Sequence, residues 1–302
     1  MHRLRPYLQL VRLPNVFTAL ADIALAALAT RALPEHTPTF LLLCLASACL
    51  YCGGMVWNDF FDLEQDKRER PFRPIPSGRV SRASAATLGG LLVAGGVVFA
   101  VLSALRHEPG SRSTPVVIAV LLVAAIFGYN AWFKRMWLGP VGMGLCRFLN
   151  VLLGLTVTGA PIERWGWLLA FVVGLYIVGV TWFARTEARL SSQAALGGAA
   201  GVMLAALLLA LPVPALFPAG SASPLFPYLL VALGFLIGVP VGKAIAGPTP
   251  PQVQAAVRRS LMGLVILDAV LATAVAGVLG MVILVLLVPI LFLRRWRWLY
   301  AT

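Results

Sequence analysis

Acidic and basic side chains are concentrated in the stretch WNDFFDLEQDKRERPFRPIPSGR, residues 57–79, of an otherwise apolar chain. Asp59, Asp62 and Asp66 follow one another at intervals of three and four residues, and Asn58 lies one turn before Asp62. Such intervals place side chains on one face of a helix, where three ionised carboxylates repel each other. A divalent cation removes that penalty, and Mg²⁺ commonly combines carboxylates with substrate phosphates. The stretch therefore predicts a Mg²⁺ and diphosphate site.

The same residues have an alternative interpretation as a solvated helix end. Asp66 and Arg70 are four residues apart, which suits an ion pair on the surface of a helix. However, the acids lie at the edge of a long apolar segment, and polar groups near the interior of a membrane bundle are functional by default. We therefore favour the metal site.

The residues that follow the acids predict a stiff, basic loop. Three prolines within 71–76 prevent continuation of the helix and favour extended backbone, and Ser-Gly at 77–78 supplies a turn. The planar guanidinium groups held on this loop can bind phosphate oxygens, or alternatively lipid headgroups. The arginines concerned are Arg70, Arg73 and Arg79.

A second polar pair lies inside an apolar segment. Arg147 and Asn150 are one turn apart in GMGLCRFLNVLLG. An arginine within a membrane span is costly unless it faces a polar cavity or a partner. Two explanations remain open: the pair binds substrate, or Arg147 pairs with a carboxylate such as Asp22 or Asp268.

Hydropathy indicates the elements that position these residues. The chain is 60% hydrophobic, with a mean hydropathy of +0.90. Its apolar runs do not alternate as barrel strands do, so the spans are predicted to be helices. The fold class is therefore all-α, a polytopic transmembrane bundle of about nine spans. The predicted spans are 14–31, 39–57, 84–105, 115–133, 141–159, 165–183, 194–213, 225–242 and 262–291.

The net charge of +13 is explained by topology, so no nucleic acid partner is predicted. With the N-terminus inside, sixteen basic residues fall in loops on one side and four on the other. The long charged loops share the basic side, which predicts an active site at the cytoplasmic end of a multi-pass protein in a bacterial inner membrane. Only the tail RRWRW, which includes Arg294, Arg295 and Arg297, falls on the wrong side if there are nine spans.

The stretch NDFFDLEQDKRERPFRPIPSGRVS resembles the first Asp-rich motif of the UbiA superfamily of membrane prenyltransferases. The length, the number of spans and the position of the motif after the second span agree with that family. The resemblance thus covers residues 1–302 as a single domain. The segments LQLVRLPNVFTALADIALA and ERPFRPIPSGRVS look most like its EboC-like branch.

The resemblance implies an enzyme that uses Mg²⁺ to ionise an isoprenyl diphosphate. An unidentified small-molecule acceptor would capture the allylic carbocation, and the apolar bundle in the lipid bilayer would hold the isoprenyl chain. Asp59, Asp62 and Asp66 would be the catalytic metal ligands. Asn58, Arg70 and Arg73 would contribute to substrate binding.

Three further residues match positions near the pocket of similar proteins. In GYNAWFKRMW, Lys134 would bind the diphosphate and Tyr129 would form a wall of the pocket. Asn15 follows VRLP at the start of the first span. The alternative for Lys134 is a topological charge at a helix end, and for Asn15 it is a simple helix N-cap.

The second Asp-rich motif of the family is degenerate here. In TWFARTEARLSSQ, Glu187 matches the first acid and Ser191 stands at the second. Arg185 and Arg189 would replace metal charge at the diphosphate, with Glu187 as a remaining metal ligand; alternatively, they neutralise Glu187. This departure leaves open a non-catalytic UbiA-like protein that binds or translocates a lipid or a secondary-metabolite precursor.

Overall fold

The computed structural model describes residues 4–185, 191–217 and 222–295, and this part of the chain is helical without strands. Five short 3₁₀ segments connect or extend the helices, at Leu13–Asn15, Pro109–Ser111, Phe133–Arg135, Val213–Leu216 and Gly277–Leu286. The α-helices are α1 (Arg5–Leu10), α2 (Val16–Ala29), α3 (Thr37–Phe61), α4 (Leu63–Glu69), α5 (Arg82–Ala104), α6 (Ser113–Ala131), α7 (Gly139–Leu155), α8 (Arg164–Ala184), α9 (Gln193–Ala210), α10 (Phe226–Ala246), α11 (Pro250–Ala276) and α12 (Leu287–Arg294).

The predicted all-α membrane architecture is confirmed. Eight helical stretches are long and apolar enough to cross a bilayer, and α7 is a shorter apolar helix. With 25 residues, α3 is about 38 Å long at 1.5 Å per residue, which exceeds a hydrocarbon core of about 30 Å. Its last turn therefore carries Asn58 and Asp59 to the edge of the membrane.

The interior of the bundle is formed mainly by α2, α7, α8 and α11. Small residues allow two of these helices to approach closely. A Cβ atom at Gly144 of α7 would lie 2.7 Å from the carbonyl oxygen of Gly174 of α8, so a larger residue does not fit there. This close contact fixes α7, and with it Arg147 and Asn150.

The chain reverses direction at Gly277, which has a φ of +65°. The 3₁₀ segment then packs back on α11, because a Cβ atom at Gly280 would lie 2.4 Å from the backbone nitrogen of Thr273. At 2.0 Å per 3₁₀ residue and 1.5 Å per α residue, the run 277–294 reaches about 32 Å. That length is sufficient for one further crossing.

The reversal changes the predicted end of the chain. The range 262–291, predicted as one span, contains the end of α11 and most of a returning segment. Because α12 reaches the 3₁₀ segment that precedes α2, Arg294 and Arg295 lie at the same end as the acidic motif. The exception to the charge distribution therefore disappears for these two residues; Arg297 lies outside the described residues.

Candidate active site

The acidic motif spans a break between two helices. Asp62 ends α3 and precedes α4, but the backbone hydrogen bonds from Asp62 N to Asn58 O (3.0 Å) and from Asp66 N to Asp62 O (2.8 Å) continue the helical pattern. Asp59, Asp62 and Asp66 thus remain within two successive turns. The prediction of a helix through the motif holds apart from this local break.

The proline-rich loop after α4 has an apolar core of its own. Ile75 and Val80 are buried against Leu10, Val56 and Ala85, which come from α1, α3 and α5. This packing folds the loop back over the end of α3. The buried side chain of Arg73 is thereby directed towards the acids.

Arg73 and Arg12 pair with two of the three predicted metal ligands. The Nη1 atom of Arg73 lies 2.7 Å from Asp66 Oδ2 and 3.4 Å from Asp59 Oδ1. The Nη2 atom of Arg12 lies 3.1 Å from the same oxygen of Asp59. Burial raises the pKa of Asp66, although its hydrogen bond with Arg73 acts in the opposite direction.

Lys134 pairs with the third acid. Its Nζ atom lies 2.7 Å from Asp62 Oδ1, so the segment after α6 is fastened to the end of α3. Nearby, the side chain of Asn58 donates to Asn130 Oδ1 at 2.9 Å, and Asn130 donates to the carbonyl of Gly54 at 3.3 Å. We call the three acids and their three bases the mouth cluster: Arg12, Asp59, Asp62, Asp66, Arg73 and Lys134.

The mouth cluster supplies the oxygen ligands that Mg²⁺ prefers. Asp59 Oδ2 is buried without a hydrogen-bond partner, and the carboxylates of Asp59 and Asp66 approach one Arg73 nitrogen. In the part of the chain that the structure describes, no three His, Cys, Asp or Glu side chains converge as a ready metal site. The acids therefore fit a site of one or two carboxylates that also uses phosphate oxygens. The metal role of all three stays a prediction.

A cavity of about 340 Å³ extends inward from Arg12. Asn15, Tyr129 and Asn130 line it near the mouth cluster, and Ile290 of the returning segment forms part of its wall. Asn15 occupies the N-cap position of α2, but its side chain makes no capping hydrogen bond, which favours a role in the cavity over the simple N-cap.

A second polar group lies deeper in the cavity. Arg147 Nη1 lies 3.1 Å from Asp22 Oδ2, and Arg147 also donates to the hydroxyl of Thr18. Asn150 donates to the same Asp22 oxygen at 2.7 Å. Thus Arg147 has the carboxylate partner that one explanation required, and it still lines the cavity. We call this group the floor cluster: Thr18, Asp22, Ser47, Arg147, Asn150 and Asp268.

The other predicted site residues lie apart from the acids. Arg70 ends α4 half-buried and forms no ion pair with any described residue. Arg79 donates to Gln9 and to the carbonyl of Phe72, so it fastens the loop. Arg185 is exposed and donates to the carbonyls of residues 136 and 137 at 3.0 and 3.2 Å. Glu187 and Arg189 lie outside the described residues.

Arg12 and Asn130 are site residues that the sequence did not single out. Arg12 reaches Asp59 from a left-handed backbone conformation (φ +48°), which is rare for a residue other than glycine. Asn130 is buried at the end of an apolar helix, next to Tyr129. A polar residue in that position was the available signal for Asn130, whereas Arg12 was counted only as a topological charge.

Known proteins resemble this chain in sequence and in fold. Residues 15–246 match the model of UbiA, the UbiA prenyltransferase family. A digeranylgeranylglyceryl phosphate synthase of Sulfurisphaera tokodaii is 28% identical over 182 residues, 60% of this chain and 56% of that protein. The synthase of Metallosphaera sedula is 37% identical over 133 residues, 44% of either chain. The chain spans about half the length of these curated relatives in the matched segments.

Two solved structures share the fold. One concerns digeranylgeranylglyceryl phosphate synthase in membranes, with a TM-score of 0.66 and 20% identity over 92% of this chain and 99% of the other. The second is a UbiA homologue from Archaeoglobus fulgidus bound to GPP and Mg²⁺. Its TM-score is 0.65, with 16% identity over 88% of this chain and 99% of the other.

Proposed function

The chain belongs to the UbiA prenyltransferase family, and on that basis we propose that it is an integral membrane prenyltransferase. It would use Mg²⁺ to transfer an isoprenyl group from an isoprenyl diphosphate to a small-molecule acceptor. The observation that carries the proposal is the mouth cluster, where three bases meet three carboxylates beside an apolar cavity. The names of the archaeal relatives and the homologue bound to GPP and Mg²⁺ support the substrate class.

The ion pairs of the mouth cluster prepare an exchange of partners. Asp59, Asp62 and Asp66 would hold Mg²⁺, with Asn58 assisting. Bound Mg²⁺ would supply charge neutralisation and Lewis acidity for the departure of diphosphate. Arg12, Arg73 and Lys134 would then turn from the carboxylates to the diphosphate oxygens. Since these bases are already largely withdrawn from water, little solvent has to be reorganised when charge develops.

The cavity next to the mouth cluster would hold the isoprenyl chain. Tyr129 lines it close to the acids, so its ring face can stabilise an allylic cation. Ile126, Ile177 and Ile290 contribute apolar wall that excludes water from that cation. The substrate-binding roles of Asn15, Arg70 and Arg185, and of Glu187 and Arg189, remain part of this proposal.

We also propose the extent of the domain, its branch within the family and its place in the cell. We assign residues 1–302 to one UbiA-like domain, most similar to the EboC-like branch on the wording LQLVRLPNVFTALADIALA and ERPFRPIPSGRVS. We also propose a cytoplasmic active site in a bacterial inner membrane, and the basic residues at the end of the bundle that carries the mouth cluster support the cytoplasmic side.

A second candidate function is binding or translocation of a lipid or metabolite precursor without catalysis. The observation that favours it is that each of the three acids already has a cationic partner. A protein that never bound Mg²⁺ would keep these ion pairs permanently.

Release of diphosphate from geranyl, farnesyl and geranylgeranyl diphosphate by the purified protein in nanodiscs decides between the two, with an added alcohol or phenol to capture the isoprenyl group. We expect release that requires Mg²⁺ and that falls at least about 10²-fold in Asp62→Asn. Glu64→Gln is the matched control, because Glu64 lies on α4, is exposed and pairs with Lys67 at 2.7 Å rather than with a residue of the mouth cluster. Absence of Mg²⁺-dependent release with all three substrates would exclude the enzyme and leave the binding protein.

A further inference from the structure

The floor cluster forms a polar site inside the cavity, distinct from the mouth cluster. Thr18, Ser47, Arg147 and Asn150 line the cavity wall. The guanidinium of Arg147 lies 5.5 Å from the ring centre of Tyr51, which is about 12 Å from Asp59 along α3 at 1.5 Å per residue. Polar groups at this depth of a bilayer are costly unless they serve a polar partner or guest.

The floor cluster retains hydrogen-bonding capacity towards the cavity. A guanidinium carries five N–H donors, and those of Arg147 supply Asp22 and Thr18, so N–H groups remain. The Arg147 side chain is 12% exposed, and it lines the cavity. Ser47 donates to Asn150 Oδ1 at 2.7 Å, which leaves the lone pairs of the serine oxygen as acceptors. A guest would therefore find both donors and acceptors.

The charges of the floor cluster do not favour an anionic guest. Asp22 and Asp268 are both fully buried and interact with each other, and the guanidinium of Arg147 is already paired with Asp22. A carboxylate or phosphate guest at the floor cluster would lose its hydration without meeting an unpaired cation of that cluster. Arg258 also lines the cavity, but it is an exposed residue of α11 and does not belong to the floor cluster. A neutral guest loses less hydration and can use the remaining donors and acceptors.

We infer that the floor cluster binds the acceptor, and that this acceptor is an uncharged small molecule with hydroxyl groups. This inference rests on the proposed function. In the reaction, the acceptor hydroxyl oxygen bonds to C1 of the isoprenyl group while the bond from C1 to the diphosphate oxygen breaks. Diphosphate leaves with the electron pair of that bond and takes the hydroxyl proton.

A pair of probes that differ mainly in charge tests the inference. 4-Hydroxybenzyl alcohol and 4-hydroxybenzoate share a ring and a phenol, but only the second is anionic. Their binding is measured by equilibrium dialysis of radiolabelled probe against the protein in nanodiscs with Mg²⁺ and geranyl thiodiphosphate, an unreactive analogue. We expect the neutral probe to bind at least about tenfold more tightly, because the anion gains no unpaired cation at this site.

Removing the two carboxylates should reverse this preference. In Asp22→Asn/Asp268→Asn, the Arg147 charge is uncompensated, and we expect 4-hydroxybenzoate to bind more tightly than the alcohol. If the cluster had only a structural role, the double variant would bind both probes more weakly and to the same extent. If the double variant does not fold, Ser47→Ala serves instead and should weaken only the neutral probe. Ser103→Ala removes a buried serine hydroxyl elsewhere and should leave both affinities unchanged.

Three results would overturn the inference: tighter binding of the anion by the unchanged protein, the same order in a folded double variant, or an unaltered neutral-probe affinity in Ser47→Ala. Failure of both probes to bind while Mg²⁺-dependent diphosphate release persists would also overturn it, and would leave the proposed function intact. Probe binding without any diphosphate release would instead overturn the proposed function.

Discussion

The mouth cluster and the floor cluster both pair buried carboxylates with cationic side chains, but different kinds of backbone carry the cations. In the mouth cluster, Arg12 lies in a left-handed turn, Arg73 in the proline-rich loop and Lys134 in a 3₁₀ turn. In the floor cluster, Arg147 lies in the middle of α7. Side chains on turns and loops can exchange a carboxylate for a ligand, whereas those on packed helices keep a fixed arrangement. We therefore expect the mouth cluster to serve chemistry and the floor cluster to shape a pocket.

The largest expected effect comes from Arg73→Ala, in the mouth cluster. This side chain contacts both Asp59 and Asp66, so its loss removes a diphosphate ligand and leaves two adjoining buried carboxylates without it. We expect kcat/KM for diphosphate release to fall by about 10²–10³-fold. Arg68→Ala is the control, since Arg68 is exposed on α4; a comparable loss in both variants would contradict the assignment.

Arg147→Gln, in the floor cluster, should show the opposite behaviour. We expect it to lower the free energy of unfolding more than it weakens diphosphate binding. Asp22 is fully buried, and breaking a buried pair by removing one partner costs about 3–5 kcal/mol of unfolding free energy. Denaturation in detergent micelles measures this loss. Adding Asp22→Asn should recover part of it, because the Asp22 carboxylate is then no longer left buried without its cation. Full stability of Arg147→Gln alone would remove the distinction between the clusters.

Lys134→Met should cause an intermediate effect. The ammonium group contacts Asp62, and its loss should raise the KM for isoprenyl diphosphate by about 10- to 100-fold, since one charged hydrogen bond is worth about 1.5–3 kcal/mol. Its neighbour Arg135 is exposed and donates to the carbonyl of Phe61 at 3.3 Å, a backbone group rather than one of the acids. In steady-state kinetics, the KM of Arg135→Ala for isoprenyl diphosphate should therefore stay close to that of the unchanged protein. Equal effects would assign both residues to membrane topology.

Arg185→Ala should have the smallest effect. Its guanidinium is exposed and bonds to two backbone carbonyls, so we expect its proposed contact with the substrate to be weak and the diphosphate affinity to fall by only about twofold. Affinity is measured by competition with inorganic diphosphate. A loss of tenfold or more would mean that Arg185 turns towards the substrate, as the resemblance to the family implied.

Hydropathy and the Asp-rich motif were sufficient to predict the first eight spans and the end of the bundle that carries the acids. Two features of the structure could not be predicted from either of these patterns. The reversal at Gly277 lies between two apolar stretches, so hydropathy reads them as one. The pairing of Arg12 with Asp59 joins segments far apart in the sequence through a backbone conformation that side-chain types do not reveal. Local patterns predict helices, whereas ion pairs between distant segments depend on how the helices pack.

The reversal at Gly277 also determines how the cavity wall enters the membrane. From Asp268 to Arg294 the chain carries no charged residue, so the turn of this hairpin can cross the bilayer without moving a charge through it. The turn itself contains no arginine or lysine that could anchor it at the far interface. Instead, the close contact of Gly280 with Thr273 holds the 3₁₀ segment against α11. The wall that contains Ile290 is thus held by this close contact at the turn, and its charged residues, Arg294 and Arg295, lie at the opposite end.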